Sequence, residues 1–292
     1  MVLKSLWMLA STLLFTLMAA ATKAASAHYG IFEIIFYRSI FGVMLCYVLM
    51  HRSGVSPATP HPWRHLIRCA IGTTCITLGV YILAVMPISA AQTLTYTSPL
   101  WFCLFLTIGL LVSGAGKQAI DPKLLSTVFV GFLGVLLILR PDFGITNPFD
   151  ALMGILTGMT GGAADFMIRN LSQHHEPRER IVFYFTLSGT ILGGLVTLWL
   201  GFSAHTAEGL WLLAAIALTG TLAQLSLTAA WSGGHPILNA VFQFSAIPFA
   251  LMLGILLWSE YPDALSLFGI AVVTAAGIAA SLLRIRNERT TN

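Results

Sequence analysis

Ten runs of apolar residues, each about 20 residues long, follow one another with short polar breaks between them. They lie at 6 to 23, 31 to 50, 66 to 85, 89 to 112, 123 to 140, 150 to 169, 181 to 201, 208 to 230, 236 to 258 and 264 to 283. A hydrocarbon core about 30 Å thick is spanned by about 20 helical residues. The pattern therefore predicts an all-α integral membrane protein with ten transmembrane helices. Several breaks carry helix-start chemistry: Asp121-Pro122, Asn147-Pro148 and Asp263 each offer a capping side chain, and in the first two a proline occupies the first helical position.

The first run also has the look of a cleavable leader, with Lys4, an apolar stretch and Ala-Ala-Ser-Ala before His28. It is read here as a retained helix, because nine spans would remain without it and the repeat described below would lose a member.

Composition narrows the class. Charged residues make up 9% of the 292 positions and apolar ones 57%, against roughly 25% charged in a soluble domain. Such a chain cannot cover a water-facing surface, and no stretch is left for a soluble domain. The basic excess does not point to nucleic acid, since the lysines and arginines are scattered singly between spans. With the amino terminus inside, that side collects Lys4, Arg52, Arg64, Arg68, Lys117, Lys123, Arg169, Arg178, Arg180, Arg284, Arg286 and Arg289; the other side gets Lys23 and Arg140, and Arg38 is left within a span. That asymmetry is the topology signal of a multi-pass protein of a bacterial inner membrane with both termini cytoplasmic.

Two stretches half a chain apart resemble each other. Ile35-Phe36-Tyr37-Arg38-Ser39-Ile40-Phe41-Gly42 in the second span aligns with Val182-Phe183-Tyr184-Phe185-Thr186-Leu187-Ser188-Gly189 in the seventh, at an offset of 189 − 42 = 147. Pro87 and Pro99 pair with Pro236 and Pro248 at 149, and Gly134 with Gly277 at 143. Each half holds five spans, an odd number, so the second half enters the membrane from the opposite face. The expected organisation is two inverted five-helix repeats, 1–142 and 147–287, and a cytoplasmic tail at 288–292.

With these features the chain resembles the EamA family of the drug/metabolite transporter superfamily along essentially its whole length. The resemblance rests on two fives of spans, on Phe36-Tyr37-Arg38, on Pro87-Ile88-Ser89-Ala90-Ala91 leading to Pro99, and on Pro248 followed by Glu260 in Leu-Trp-Ser-Glu. It implies a gradient-driven or facilitative carrier of amino acids and other small metabolites, mostly an exporter, with no bound cofactor. One departure stands out: the first half has Leu111, then Val112-Ser113-Gly114, where a partner of Glu260 belongs. Glu260 is therefore assigned to capping or loop structure at the outer edge.

Arg38 is the leading substrate-binding residue, because a charge inside a span costs several kcal/mol and marks either a site or a buried pair. Its planar fork suits a carboxylate or phosphate; the structural alternative is a pair with Glu33 or Asp165. Asp165 and Glu33 are the proton-coupling candidates, weighed against an Asp165–Arg169 pair and a surface role for Glu33. Pro99 and Pro248 fall near the midplane and mark the hinge. Tyr37, Gln92, Tyr96, Trp101, Trp231, Asn239 and Gln243 complete the expected lining of a cavity for a polar solute. Gly154, Gly158 and Gly162 form a small-residue ladder suited to close helix packing. The partners expected are a small-molecule substrate and the lipid bilayer.

His174-His175-Glu176 looks like a metal cluster but sits in a charged loop, and Cys46, Cys69, Cys75 and Cys103 have no metal or disulfide spacing, so neither is read as a metal site. A membrane-embedded enzyme would need a nucleophile with a base, or a metal set, at membrane depth, and no GxSxG, HExxH or paired-acid motif occurs in any span. A channel would show a filter segment and oligomeric symmetry rather than an inverted repeat.

Overall fold

A computed structural model describes residues 2–112, 126, 130, 131, 133, 134, 137, 147–234, 239 and 242–290. Its helices are α1 (Val2–Ala25), α2 (Ile31–Arg52), α3 (Pro62–Val85), α4 (Ile88–Thr95), α5 (Ser98–Val112), α6 (Pro148–Gln173), α7 (Arg178–Leu200), α8 (Ala207–Gly233), α9 (Ala246–Trp258) and α10 (Ala264–Thr290). Among the described residues there is no strand. Among the described residues six helices, α1 to α3 and α6 to α8, are long and apolar enough to cross a membrane. The span expected over 123 to 140, with the Asp121-Pro122 cap, lies largely or wholly outside the described residues. The other two expected caps form: Asn147 Oδ1 accepts from the Phe149 N–H at 3.0 Å, and Asp263 Oδ1 from that of Ser266 at 3.0 Å.

The run at 89 to 112 is two helices, not one. The chain leaves the helix at Tyr96-Thr97, and the ninth run breaks in the same way at Phe244-Ser245. Proline explains both. Pro99 has no N–H for the Thr95 carbonyl, and Pro248 none for that of Phe244. The turn tightens instead to three-residue bonds, Thr97 N–H to Leu94 and Ser245 N–H to Phe242. Each break is closed by a hydroxyl: Thr97 Oγ1 donates to the Leu94 carbonyl and Ser245 Oγ to the Phe242 carbonyl, both at 2.7 Å.

Packing pairs helices across the two halves: α1 with α8, α3 with α6, α2 with α7 and α4 with α9. Small residues permit it. A Cβ on Gly42 would stand 2.6 Å from Thr186 Cγ2, and one on Gly189 would stand 2.5 Å from Ser39 Oγ, so α2 and α7 approach closely at both points. The Gly154, Gly158, Gly162 ladder of α6 lies against the first break; a Cβ on Gly158 would meet the Leu94 carbonyl at 2.5 Å and one on Gly162 that of Ser98 at 2.6 Å. The other break, in the second half, is approached by α1 of the first half, where the Thr12 and Ser245 hydroxyls hydrogen-bond at 2.8 Å. α1 is thus built into the core, with Ser11 Oγ donating to the Ala223 carbonyl of α8 at 2.9 Å.

Large apolar side chains face outward along the helices, among them Trp63, Leu198, Trp199, Trp211 and Leu256. In water so much apolar surface would drive aggregation; against lipid it is the expected exterior.

The bundle is tied at both ends by polar contacts between the halves. At one end Glu260 forms an ion pair with Lys23 at 3.1 Å, and its other oxygen accepts from the Ile88 N–H at 2.8 Å, at the start of α4. Lys23 also donates to the Met86 carbonyl at 2.7 Å. Glu260 therefore neutralises a lysine and caps a helix at once. At the other end Glu176 accepts from Thr59 Oγ1 and from Arg180 Nη1 at 2.9 Å, with His65 Nε2 3.5 Å away. Burial raises the Glu176 carboxyl, but the Thr59 and Arg180 hydrogen bonds and the neighbouring His65 and Arg180 charges outweigh it and hold the group below its ordinary range.

Candidate functional site

A cavity of about 170 Å³ lies at the centre, lined by α1, α2, α3, α6, α7 and α8 and by the two broken segments. Its charged lining residues are Arg38 from α2, Arg68 from α3 and Asp165 from α6; Gln92, Tyr96, Gln224 and Gln243 add polar groups.

Arg38 is 5% exposed and Arg68 2% exposed. In each, Nε and Nη1 have no hydrogen-bond partner among the described residues. Both guanidiniums are held against one ring, that of Phe185, with Cζ 5.8 Å and 4.4 Å from its centroid. A cation on a benzene face gains about 0.5–2 kcal/mol, which positions the charge but does not satisfy its donors. Glycines make room beside them: a Cβ on Gly220 would stand 2.6 Å from Arg38 Nε, and one on Gly72 would collide with Arg68 Nη1 and approach Phe185 to 2.9 Å.

Asp165 is also buried, and Gln243 Nε2 donates to its Oδ2 at 2.8 Å. The Oε1 of Gln243 has no partner among the described residues. Because Gln243 directly precedes the break at Phe244-Ser245, the bend decides where its amide stands. Tyr96, at the matching break of the first half, reaches the same cavity.

Several expected lining residues lie elsewhere. Tyr37 hydrogen-bonds His205 at 2.9 Å and packs edge-on to Phe202 at the end of α2. Glu33 belongs to the same edge, accepting from Ser203 Oγ at 2.7 Å and from the Ser203 N–H at 3.2 Å, with His205 at 3.6 Å. Asn239 Nδ2 donates to the Ala230 carbonyl at 2.7 Å. Trp101 stacks with Phe105, and Trp231 packs on Phe102 at 4.9 Å, behind the cavity wall with its indole beside Asp165. Among the described residues that line the cavity, none of these five appears.

The chain is 32% identical over 268 residues to the pseudopaline exporter CntI of Pseudomonas aeruginosa, covering 91% of this chain and 92% of that one. The chain belongs to the EamA family of the drug/metabolite transporter superfamily. It is also 26% identical to the riboflavin transporter of Rhizobium johnstonii, over 98% of this chain and 92% of the relative, and 24% identical to the S-adenosylmethionine uptake transporter of Rickettsia felis, over 88% and 84%. No family model matches the sequence. A solved crystal structure shares the fold of this EamA protein, with a TM-score of 0.71, 18% identity and coverage of 97% of this chain and 98% of the other. These relatives are named as transporters, which makes the chain a multi-pass membrane protein of a metabolite-transporter family.

Sequence reasoning missed Arg68, which it counted among the cytoplasmic topology charges. The signal was present: Arg68, Gly72, Cys75, Gly79 and Leu83 recur at helical spacing and all line the cavity of this EamA protein. Ser11, Thr12, Phe15 and Met18 of α1 form a second such face.

Proposed function

We propose that the protein is a secondary transporter, working as an exporter, that moves a small polar metabolite such as an amino acid or related organic anion across the bacterial inner membrane by alternating access. The observation that carries this reading is Arg38: a buried guanidinium with unsatisfied donors, facing a central cavity between the two halves. An uncompensated charge at membrane depth is costly, and an anionic group of a bound solute would supply its missing partners.

The inverted-repeat organisation is supported by contacts that exchange under the internal offset. Ser39 corresponds to Thr186 and Gly42 to Gly189 at 147, and the structure sets Gly42 against Thr186 and Gly189 against Ser39. Two copies related by a pseudo-twofold axis make such reciprocal contacts. The breaks at 96–97 and 244–245 match at an offset of 148 and are closed by the same hydroxyl device. Rocking of the halves about these breaks, near Pro99 and Pro248, would expose the cavity to each side in turn. The distribution of lysine and arginine favours cytoplasmic termini. The buried, cavity-lining position of Asp165 supports it, over the edge-bound Glu33, as the carboxylate that exchanges a proton with the transport cycle.

The test is uptake of labelled carboxylate-bearing metabolites into inside-out proteoliposomes, with ligand-dependent thermal shifts of the purified protein alongside. Wild type is expected to bind and move a subset of them, and Arg38→Ala to lose both activities. Unchanged transport by Arg38→Ala for every substrate would make Arg38 a structural residue and remove the reading.

A further inference from the structure

The cavity contains a second cation that a one-headed anion leaves unanswered. Arg68 comes from α3, opposite α6, and its Nε and Nη1 are as unpartnered as those of Arg38. Both guanidiniums face Phe185, so they stand closer together than the two ring distances combined. Asp165 is the one carboxylate among the described cavity-lining residues, and it accepts a hydrogen bond from Gln243. Two fixed cations against one carboxylate leave the site positive even with Asp165 ionised, and more so with Asp165 protonated. Each guanidinium offers a fork that a carboxylate fills through two parallel hydrogen bonds.

We propose that the site is two-headed: its substrates carry two carboxylates, one for Arg38 and one for Arg68, joined by a short apolar stretch that lies along Phe185, and an amine that donates to Asp165 and the free Oε1 of Gln243. The substrate class is thus a small amino-dicarboxylic compound. The lining fits this order of groups. Phe185, which both guanidiniums face, and Gly72 beside Arg68 give the linker an apolar wall with no side-chain polar group of their own. The acceptors for an amine are gathered at Asp165 and Gln243. This deepens the reading that Arg38 takes an anionic group, and depends on it.

Four probes separate the parts: glutarate against butyrate, which differ by one carboxylate, and glutamate against glutamine, which differ by a carboxylate turned amide. Binding is measured by calorimetry on the detergent-purified full chain. Wild type is expected to bind glutarate at least about tenfold tighter than butyrate, and glutamate likewise over glutamine. Arg68→Gln should abolish both preferences, with butyrate still bound through Arg38. Wild type should also prefer glutamate to glutarate, through the amine; Asp165→Asn should abolish that preference and spare that of glutarate over butyrate. A dicarboxylate preference that survives Arg68→Gln, or equal binding of glutarate and butyrate by wild type, overturns the two-headed site. If Arg68→Gln does not purify as a monodisperse species, Arg68→Lys decides, since it keeps the charge and loses the fork: a reduced preference supports the proposal, and an unchanged one overturns it. Butyrate binding that is insensitive to Arg38→Ala, or no carboxylate binding at all, instead removes the underlying reading of Arg38.

Discussion

Gln243 donates from Nε2 to Asp165 Oδ2 at 2.8 Å, joining the break in the second half to helix α6 of the cavity wall. A carboxylate held by a neutral amide, rather than by a cation in direct contact, keeps the option of taking up a proton. If Asp165 couples transport to protons, Asp165→Asn should leave binding of a simple carboxylate within about tenfold of wild type. Its flux should no longer respond to an imposed pH gradient. Proteoliposome flux measured with and without the gradient checks this, and wild-type flux that ignores the gradient removes Asp165 from coupling.

The reciprocal α2–α7 contacts predict paired effects. Gly42→Ala and Gly189→Ala each place a methyl group about where Thr186 and Ser39 stand. Forcing such overlap costs about 1–3 kcal/mol, and both variants should melt below wild type. Combining Gly42→Ala with Thr186→Ser removes the clashing Cγ2 and should recover part of the loss, which a double-mutant cycle of thermal unfolding would register. Strict additivity would mean that this contact does not set the crossing.

At the opposite edge of the bundle from Glu176, the Glu260 carboxylate performs two tasks that can be separated. Glu260→Gln keeps an acceptor for the Ile88 N–H but loses the ion pair with Lys23; Glu260→Ala loses both. The alanine variant is expected to lose about 1–3 kcal/mol through the orphaned groups, and the glutamine variant clearly less. Equal melting temperatures for the two variants would show that capping of α4 contributes nothing.

Glu176 predicts an acid-sensitive clasp. Its folded pKa lies below the unfolded one, so its contribution is fully present above the unfolded value, about 4.3, and is lost as pH falls through the lower folded value. Glu176→Gln should be less stable than wild type at neutral pH, and the gap should close as the buffer is acidified through that window. Thermal unfolding in detergent between neutral pH and the acid limit is the measurement. A gap that stays constant with pH would assign the effect to packing.

The membrane class and the long apolar helices were legible along the chain because each depends on local, additive quantities. Twenty apolar residues span a bilayer whatever they touch, charge asymmetry needs no contacts, and a proline stops a helix through its own missing N–H. Arg38 and Asp165 were legible for the same reason, as charges inside apolar runs. The division of the run at 89 to 112 was half legible: Pro99 marked the place, but only Thr97 and its bond to Leu94 show how the break is closed.

The tertiary structure decided which of the polar residues share a cavity. Tyr37 lies one position from Arg38 but about 100° round the helix, and it therefore faces His205 at the edge while Arg38 faces the centre. Arg68 sits at the end of its run, where a charge can reach water by snorkelling or turn inward; the space left by Gly72 and the ring of Phe185 from another helix settle that choice. The sequence by itself determined that this chain is an all-α protein that crosses the membrane several times. Which side chains meet between the halves depends on the rotation of each helix against neighbours far away in the chain, and only the packed fold contains that information.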